Sequence, residues 1–93
     1  MSSPDPLLID VRSPGEYAGG YLEGAVNLPL DQLQAGIARV APDLDQPIVL
    51  YCASGGRSGM GCMLLQQMGY RQVSNGGGIG MLAMSSQRPV RRL

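Results

Sequence analysis

In the segment Ile48-Val49-Leu50-Tyr51-Cys52-Ala53-Ser54-Gly55-Gly56-Arg57-Ser58, an apolar, partly β-branched run leads straight into a cysteine. A glycine-rich loop follows, then an arginine and the start of a helix. This order sets a thiol at the carboxyl end of a buried strand, in a loop whose backbone N–H groups can turn inward. Such a loop cradles anions, and the N-terminus of the following helix reinforces it. Positive potential favours the charged form of a thiol, so Cys52 is expected to be a thiolate and a nucleophile.

Outward from this segment, strand and helix signals alternate. Leu7 to Val11 is a short apolar run and reads as a buried strand. Ser13-Pro14-Gly15-Glu16 has the residues of a helix N-cap, first turn and capping box, and Gly19-Gly20 keeps that helix short. Gly24 to Pro29 reads as a second brief strand. Asp31 is expected to cap a helix whose stripe is Leu33, Ile37 and Val40. After the strand Ile48 to Tyr51, a helix from Arg57 to Met68 is expected to bury Met60, Met63, Leu64 and Met68, with Gly69 at its C′ position. Gln72 to Ser74 suggests a last strand, Gly76-Gly77-Gly78 a turn, and Ile79 to Met84 a closing helix. Met1 to Pro6 reads as a loose lead-in and residues 85–93 as a polar surface tail. The pattern predicts one α/β domain spanning residues 1–93, with a mainly parallel sheet. In such sheets ligands bind beyond the carboxyl ends of strands, where Cys52 falls.

Composition narrows the chemistry. Ninety-three residues make one small domain, 44% apolar, with seven acidic and seven basic side chains. All seven basic residues are arginine, and histidine is absent. Lysine Schiff bases, Walker-type phosphate sites, Ser-His-Asp and Cys-His catalysis are therefore excluded, and no metal or cofactor is expected. Zero net charge speaks against nucleic acid as a partner. No stretch is long and apolar enough to span a membrane, and no signal peptide is visible. The expected compartment is the cytoplasm, with a periplasmic mature form as the alternative. If the helix begins near Arg57, Cys62 lies roughly 8 Å along it at about 1.5 Å per residue. An unstrained disulfide needs Cα atoms within roughly 7 Å, so both cysteines read as free thiols.

Without an imidazole, Cys52 must be ionised at rest. A helix terminus supplies about 0.3–1 kcal/mol, up to about 2 when partly buried. Several such donors are expected to bring the thiol below neutral pH. The reaction that suits this site has a leaving group that needs no proton. Sulfane-sulfur transfer qualifies: the thiolate takes the outer sulfur of thiosulfate, sulfite departs, and a thiophile such as cyanide or a thiol removes the sulfur from the persulfide. Cysteine phosphatases use a longer loop between cysteine and arginine than the four residues between Cys52 and Arg57 here.

Several motifs then coincide: Leu8 to Tyr17, Gly24 to Pro29, Cys52 to Ser58, Met68-Gly69-Tyr70 and Gly77-Gly78. Together they resemble a single-domain rhodanese, a thiosulfate sulfurtransferase, over roughly Leu8 to Met84. Leu82-Ala83-Met84 is most similar to the small bacterial phage-shock-protein-E type. The resemblance implies a three-layer α/β/α domain with a sheet of four to five strands. It implies Cys52 as the persulfide carrier, with Ala53, Ser54, Gly55, Gly56, Arg57 and Ser58 as the anion site. Its partners would be a small anionic sulfur donor and a thiol or cyanide acceptor, including a thioredoxin-like protein. The alternative is a non-catalytic persulfide carrier or binding module serving a partner protein.

Other reactive residues have plainer readings. Cys62 is expected to be a packed small hydrophobe. Asp10, Arg12 and Glu16 are read as a structural ion-pair and hydrogen-bond network at the end of the sheet. The six methionines are assigned mostly to helical core positions, and Arg57 is expected to contact substrate.

Overall fold

The computed structural model describes residues 6–93, so most of the lead-in expected over Met1–Pro6 lies outside the described residues. Ten elements follow in chain order: β1 (Leu7–Asp10), α1 (Pro14–Ala18), β2 (Tyr21–Leu22), β3 (Val26–Asn27), α2 (Leu30–Val40), β4 (Ile48–Cys52), α3 (Gly56–Gln67), β5 (Val73–Gly78), α4 (Ile79–Ser86) and β6 (Val90–Arg91). Four strands form a parallel sheet in the order β3-β1-β4-β5. The order jumps at β1–β4, and α2 makes the crossover. The all-parallel pairing accounts for the near-continuous apolar runs of β1 and β4, since both faces of such a sheet are covered.

Side chains alternate across this sheet. Ile9, Ile48, Leu50 and Cys52 face α2 and α3, packing with Leu33, Ile37, Cys62, Leu65 and Tyr70. Leu8 and Tyr51 face the other way, against Leu22 and Ala25, with Ile79, Leu82 and Ala83 of α4 packed on them. Tyr51 is fully buried and its hydroxyl accepts the Leu22 N–H at 3.1 Å. The expected three-layer α/β architecture is therefore present, with four strands in its central sheet.

Local details depart from expectation where long-range contacts override local preference. α2 begins at Leu30 behind Pro29, and Asp31 lies inside the first turn, where its charge favours the helix dipole, rather than at the cap. The Gly76-Gly77-Gly78 run is not a turn but the end of β5. The pairing steps from Leu50↔Asn75 to Cys52↔Gly78, a bulge that places two residues of β5 opposite one of β4. Tyr21–Leu22 was not expected to pair, yet it joins Val90–Arg91 in a small antiparallel ribbon. Residues 85–93 thus lie at the surface but are tied down: Arg91 bonds Glu23 at 2.7 Å and the Leu93 N–H reaches the Ala18 carbonyl at 3.0 Å.

Of the face expected on α3, Leu64 packs partly buried against the core, but the methionines do not. Met60 and Met63 are both 63% exposed, while Ser58, Gly61, Cys62 and Leu65 point inward. A Cβ on Gly61 would lie 2.8 Å from the Leu50 side chain, so a glycine marks where the helix meets the sheet. Met81 and Met84 are likewise at the surface. Methionine's apolar character misleads here because small residues, not large ones, line the close helix–sheet contact. Leu65→Ala should lower stability by about 3 kcal/mol through cavity formation, and Met63→Ala by less than about 0.5 kcal/mol. Urea denaturation of both variants measures the contrast; equal losses would contradict this packing.

Candidate active site

Cys52 ends β4, and its side chain faces the α2–α3 side of the sheet, almost completely buried. The chain then turns through Gly55, whose φ of 99° suits glycine and aims the N-terminus of α3 back at the sulfur. This helix has no side-chain N-cap. The cysteine sulfur occupies that role: Sγ accepts the Gly55 N–H at 2.9 Å, and the Ser58 hydroxyl stands 3.5 Å away. First-turn N–H groups have no partners within their own helix, so an anion here satisfies them. Burial pushes the thiol up, but the Ser58 hydroxyl and the N–H groups of Ser58, Ser54 and Gly55 outweigh it and bring Cys52 to about 7 from an ordinary value of 9.0. These donors thus hold the thiol well below its ordinary value, close to neutrality. Cys62 shows the opposite: it is buried, has no such donors, and burial raises its pKa. Both cysteines are free thiols.

Asn75, on β5, braces the loop. Its Oδ1 accepts from the Ser58 hydroxyl at 2.6 Å and from the Gly77 N–H at 2.9 Å, and its Nδ2 donates to the Gly55 carbonyl at 3.1 Å. The Ser58 hydroxyl has one proton to give. Its oxygen lies 2.6 Å from Asn75, 3.1 Å from the Gly55 carbonyl and 3.5 Å from the sulfur, so these acceptors compete for it. The glycines of β5 complete the brace. A Cβ on Gly78 would lie 2.6 Å from the Ala53 carbonyl oxygen, and one on Gly55 would lie 3.3 Å from the Gly77 Cα. Backbone therefore meets backbone. Sequence reasoning missed Asn75; the available signal was an Asn two residues ahead of a glycine, the pattern of a side chain that bonds its own turn.

The ionised residues around the loop are already paired. Asp10 and Arg12 form a buried pair at 2.7 Å, and the Arg12 guanidinium also donates to the Gly20 carbonyl and lies 5.8 Å from the Tyr51 ring centroid. The Asn27 amide ties the end of β1 by donating to the Asp10 and Arg12 carbonyls. This part of the expected structural network is present. Glu16 joins it through partners of its own: besides closing the α1 capping box with Ser13, it takes Arg57 in a two-pronged bond of 2.7 and 3.0 Å. Arg57 thus meets a carboxylate of its own chain. Ser54, Gly55 and Ser58 converge on the sulfur, while Ala53 and Gly56 form the exposed rim.

Two depressions flank the Arg57–Glu16 pair. One, of about 440 Å³, is lined by Arg12, Glu16, Gly20, Ile79 and Val90 among others. The other, of about 320 Å³, is lined by Val11, Ser13, Pro29, Leu30, Asp31 and Arg57. Among the described residues no group of three His, Cys, Asp or Glu side chains is placed to hold a metal.

The sequence profile of the rhodanese-like domain matches residues 1–79. The chain belongs to the rhodanese-like family. It is 40% identical over 76 residues to the thiosulfate sulfurtransferase PspE of Escherichia coli (strain K12), covering 82% of this chain and 73% of that protein. It is 41% identical over 71 residues to a sulfurtransferase of Allochromatium vinosum, covering 76% of this chain and 64% of that one. Among solved structures, a rhodanese with anions from E. coli superposes with a TM-score of 0.87 at 35% identity, over 96% of this chain and 100% of the other. These matches bear out the rhodanese resemblance and its fold. No helix among the described residues is long and apolar enough to cross a membrane.

Alkylation of Cys52 should rise through a midpoint near pH 7, because only the thiolate reacts and its fraction grows as pH climbs through about 7. Ser58→Ala removes a donor to the ionised sulfur and should move the midpoint up by about one pH unit. Peptide-resolved iodoacetamide labelling against pH reads both values, with Cys62 unlabelled in the folded protein. A midpoint near 9.0 in the unaltered chain would contradict the capping argument.

Proposed function

We propose that this domain is a sulfurtransferase that carries sulfane sulfur as a persulfide on Cys52. The observation that carries the reading is the bond from the Gly55 N–H to Cys52 Sγ at 2.9 Å, by which the sulfur caps the start of α3. The same donors favour an anion on the first sulfur or on a second sulfur attached to it. In the first half-reaction the Cys52 thiolate attacks the outer sulfur of thiosulfate. A new S–S bond forms to Cys52, the donor S–S bond breaks, and sulfite leaves with that electron pair. No proton moves, which suits a site without histidine. In the second half-reaction cyanide, or a thiolate, attacks the outer sulfur and restores the Cys52 thiolate.

The rim residues Ala53, Ser54 and Gly56, with Gly55, Arg57 and Ser58, would receive the anionic end of the donor. The acceptor would be a small thiophile or the exposed cysteine of a thioredoxin-like protein. The names of the relatives from E. coli and A. vinosum support sulfur transfer as the reaction class.

Intact-mass spectrometry after mixing with thiosulfate should show a gain of one sulfur, lost on adding cyanide and absent in Cys52→Ser. Turnover of an aryl phosphate with no gain of sulfur would overturn the reading. A gain that requires a separate donor enzyme would instead identify a persulfide carrier.

A further inference from the structure

The loop contains one charged side chain, Arg57, and the chain itself occupies it. Glu16 Oε1 and Oε2 accept from Arg57 Nη1 and Nη2 at 2.7 and 3.0 Å, across 41 residues of sequence. Both side chains are about two-fifths exposed. A pair so open to water adds little to stability. Arg57 holds the Glu16 carboxyl down to about 2, with help from the Ser13 N–H, so Glu16 is charged wherever Cys52 is a thiolate. The second arginine at the strand ends, Arg12, is spent on Asp10. Asp31 lines the depression beside Arg57. The mouth of a site meant to receive anions therefore carries no net positive charge from its side chains.

We propose that Glu16 is a specificity-determining residue that sets the donor's charge: by neutralising Arg57 it selects against dianionic sulfur donors and in favour of donors with a single negative charge. This rests on the sulfurtransferase reading and deepens it. Thiosulfate brings two charges toward a thiolate, an aryl thiosulfonate brings one, and both leave by the same chemistry. Attack on the thiosulfonate forms the Cys52 persulfide and releases an aryl sulfinate, with no proton or electron added. Repulsion by Glu16 scales with donor charge, so on a logarithmic scale its effect on a dianion is twice that on a monoanion. For exposed charges separated by about 6–8 Å this amounts to about sevenfold against about threefold.

Glu16→Gln tests the idea, because the amide oxygen keeps the acceptor of the α1 capping box and only the charge is lost. The variant should raise kcat/KM for thiosulfate about sevenfold and for benzenethiosulfonate about threefold. The difference should shrink in about 1 M salt, where the Debye length is about 3 Å. Ser13→Ala removes the capping hydroxyl while keeping the charge, and should leave the ratio of the two donors at its original value. If Glu16 serves only to hold Arg57 in place for substrate, Glu16→Gln will lower kcat/KM for both donors equally. That result, or an unchanged donor ratio, overturns the proposal and leaves sulfur transfer intact. If the unaltered chain gains no sulfur from either donor, the sulfurtransferase reading falls instead.

Discussion

The structure depends on one close approach between two stretches of backbone. β5 ends in Gly78 directly against the Ala53 carbonyl, where even a methyl group would lie 2.6 Å from the oxygen. Because nothing projects from β5 at that point, the loop after Cys52 closes tightly. Tight closure in turn directs the Gly55 N–H and the start of α3 at the sulfur. The bulge between β4 and β5 serves the same end: it shifts the register by one residue, so that Asn75 bonds the loop while Gly78 lies beside Cys52. The Cys52 sulfur is thus set by sheet geometry rather than by a flexible side-chain cluster. Helix, strand and loop share the positioning, and the Cys52 sulfur itself completes the helix cap.

The electrostatics of the site divide between backbone and side chains. Backbone N–H groups and one hydroxyl stabilise the sulfur anion, and they do so against a burial penalty that by itself would keep the thiol protonated. The charged side chains pair with one another instead. Asp10 and Arg12 lock the end of β1, and that buried pair is costly to break from one side because the remaining charge would be stranded. Glu16 and Arg57 lie at the surface, where water and salt screen them.

The sequence made the architecture and the placement of Cys52 legible for different reasons. The apolar runs of β1 and β4 and the Ser13–Glu16 capping box are local signals, and each element forms where those residues predict it. The cysteine, the glycines and the helix start after them are contiguous, so the shape of the loop was readable too. What escaped depended on contacts distant in the chain. Asn75 reaches Gly55 across twenty residues, and Arg57 meets Glu16 across forty-one. The triple glycine looked like a turn because glycine's role in close packing has no local signature. Methionines of α3 looked like core because hydropathy does not register that Gly61 and Cys62 let the helix lie nearer the sheet than a methionine would allow.

Cys62 and Cys52 belong to the same apolar core cluster, yet Cys62 has no donors and its thiol is pushed toward the neutral form by burial. A thiol held neutral in this way is a poor nucleophile toward a bond made at Cys52. In a persulfide cycle of the kind proposed, a loaded molecule keeps its cargo until another molecule arrives to collect it. Turnover would then be set by encounter, and the loaded form would be a species in its own right, with a lifetime governed by the acceptor's concentration rather than by the protein's own clock.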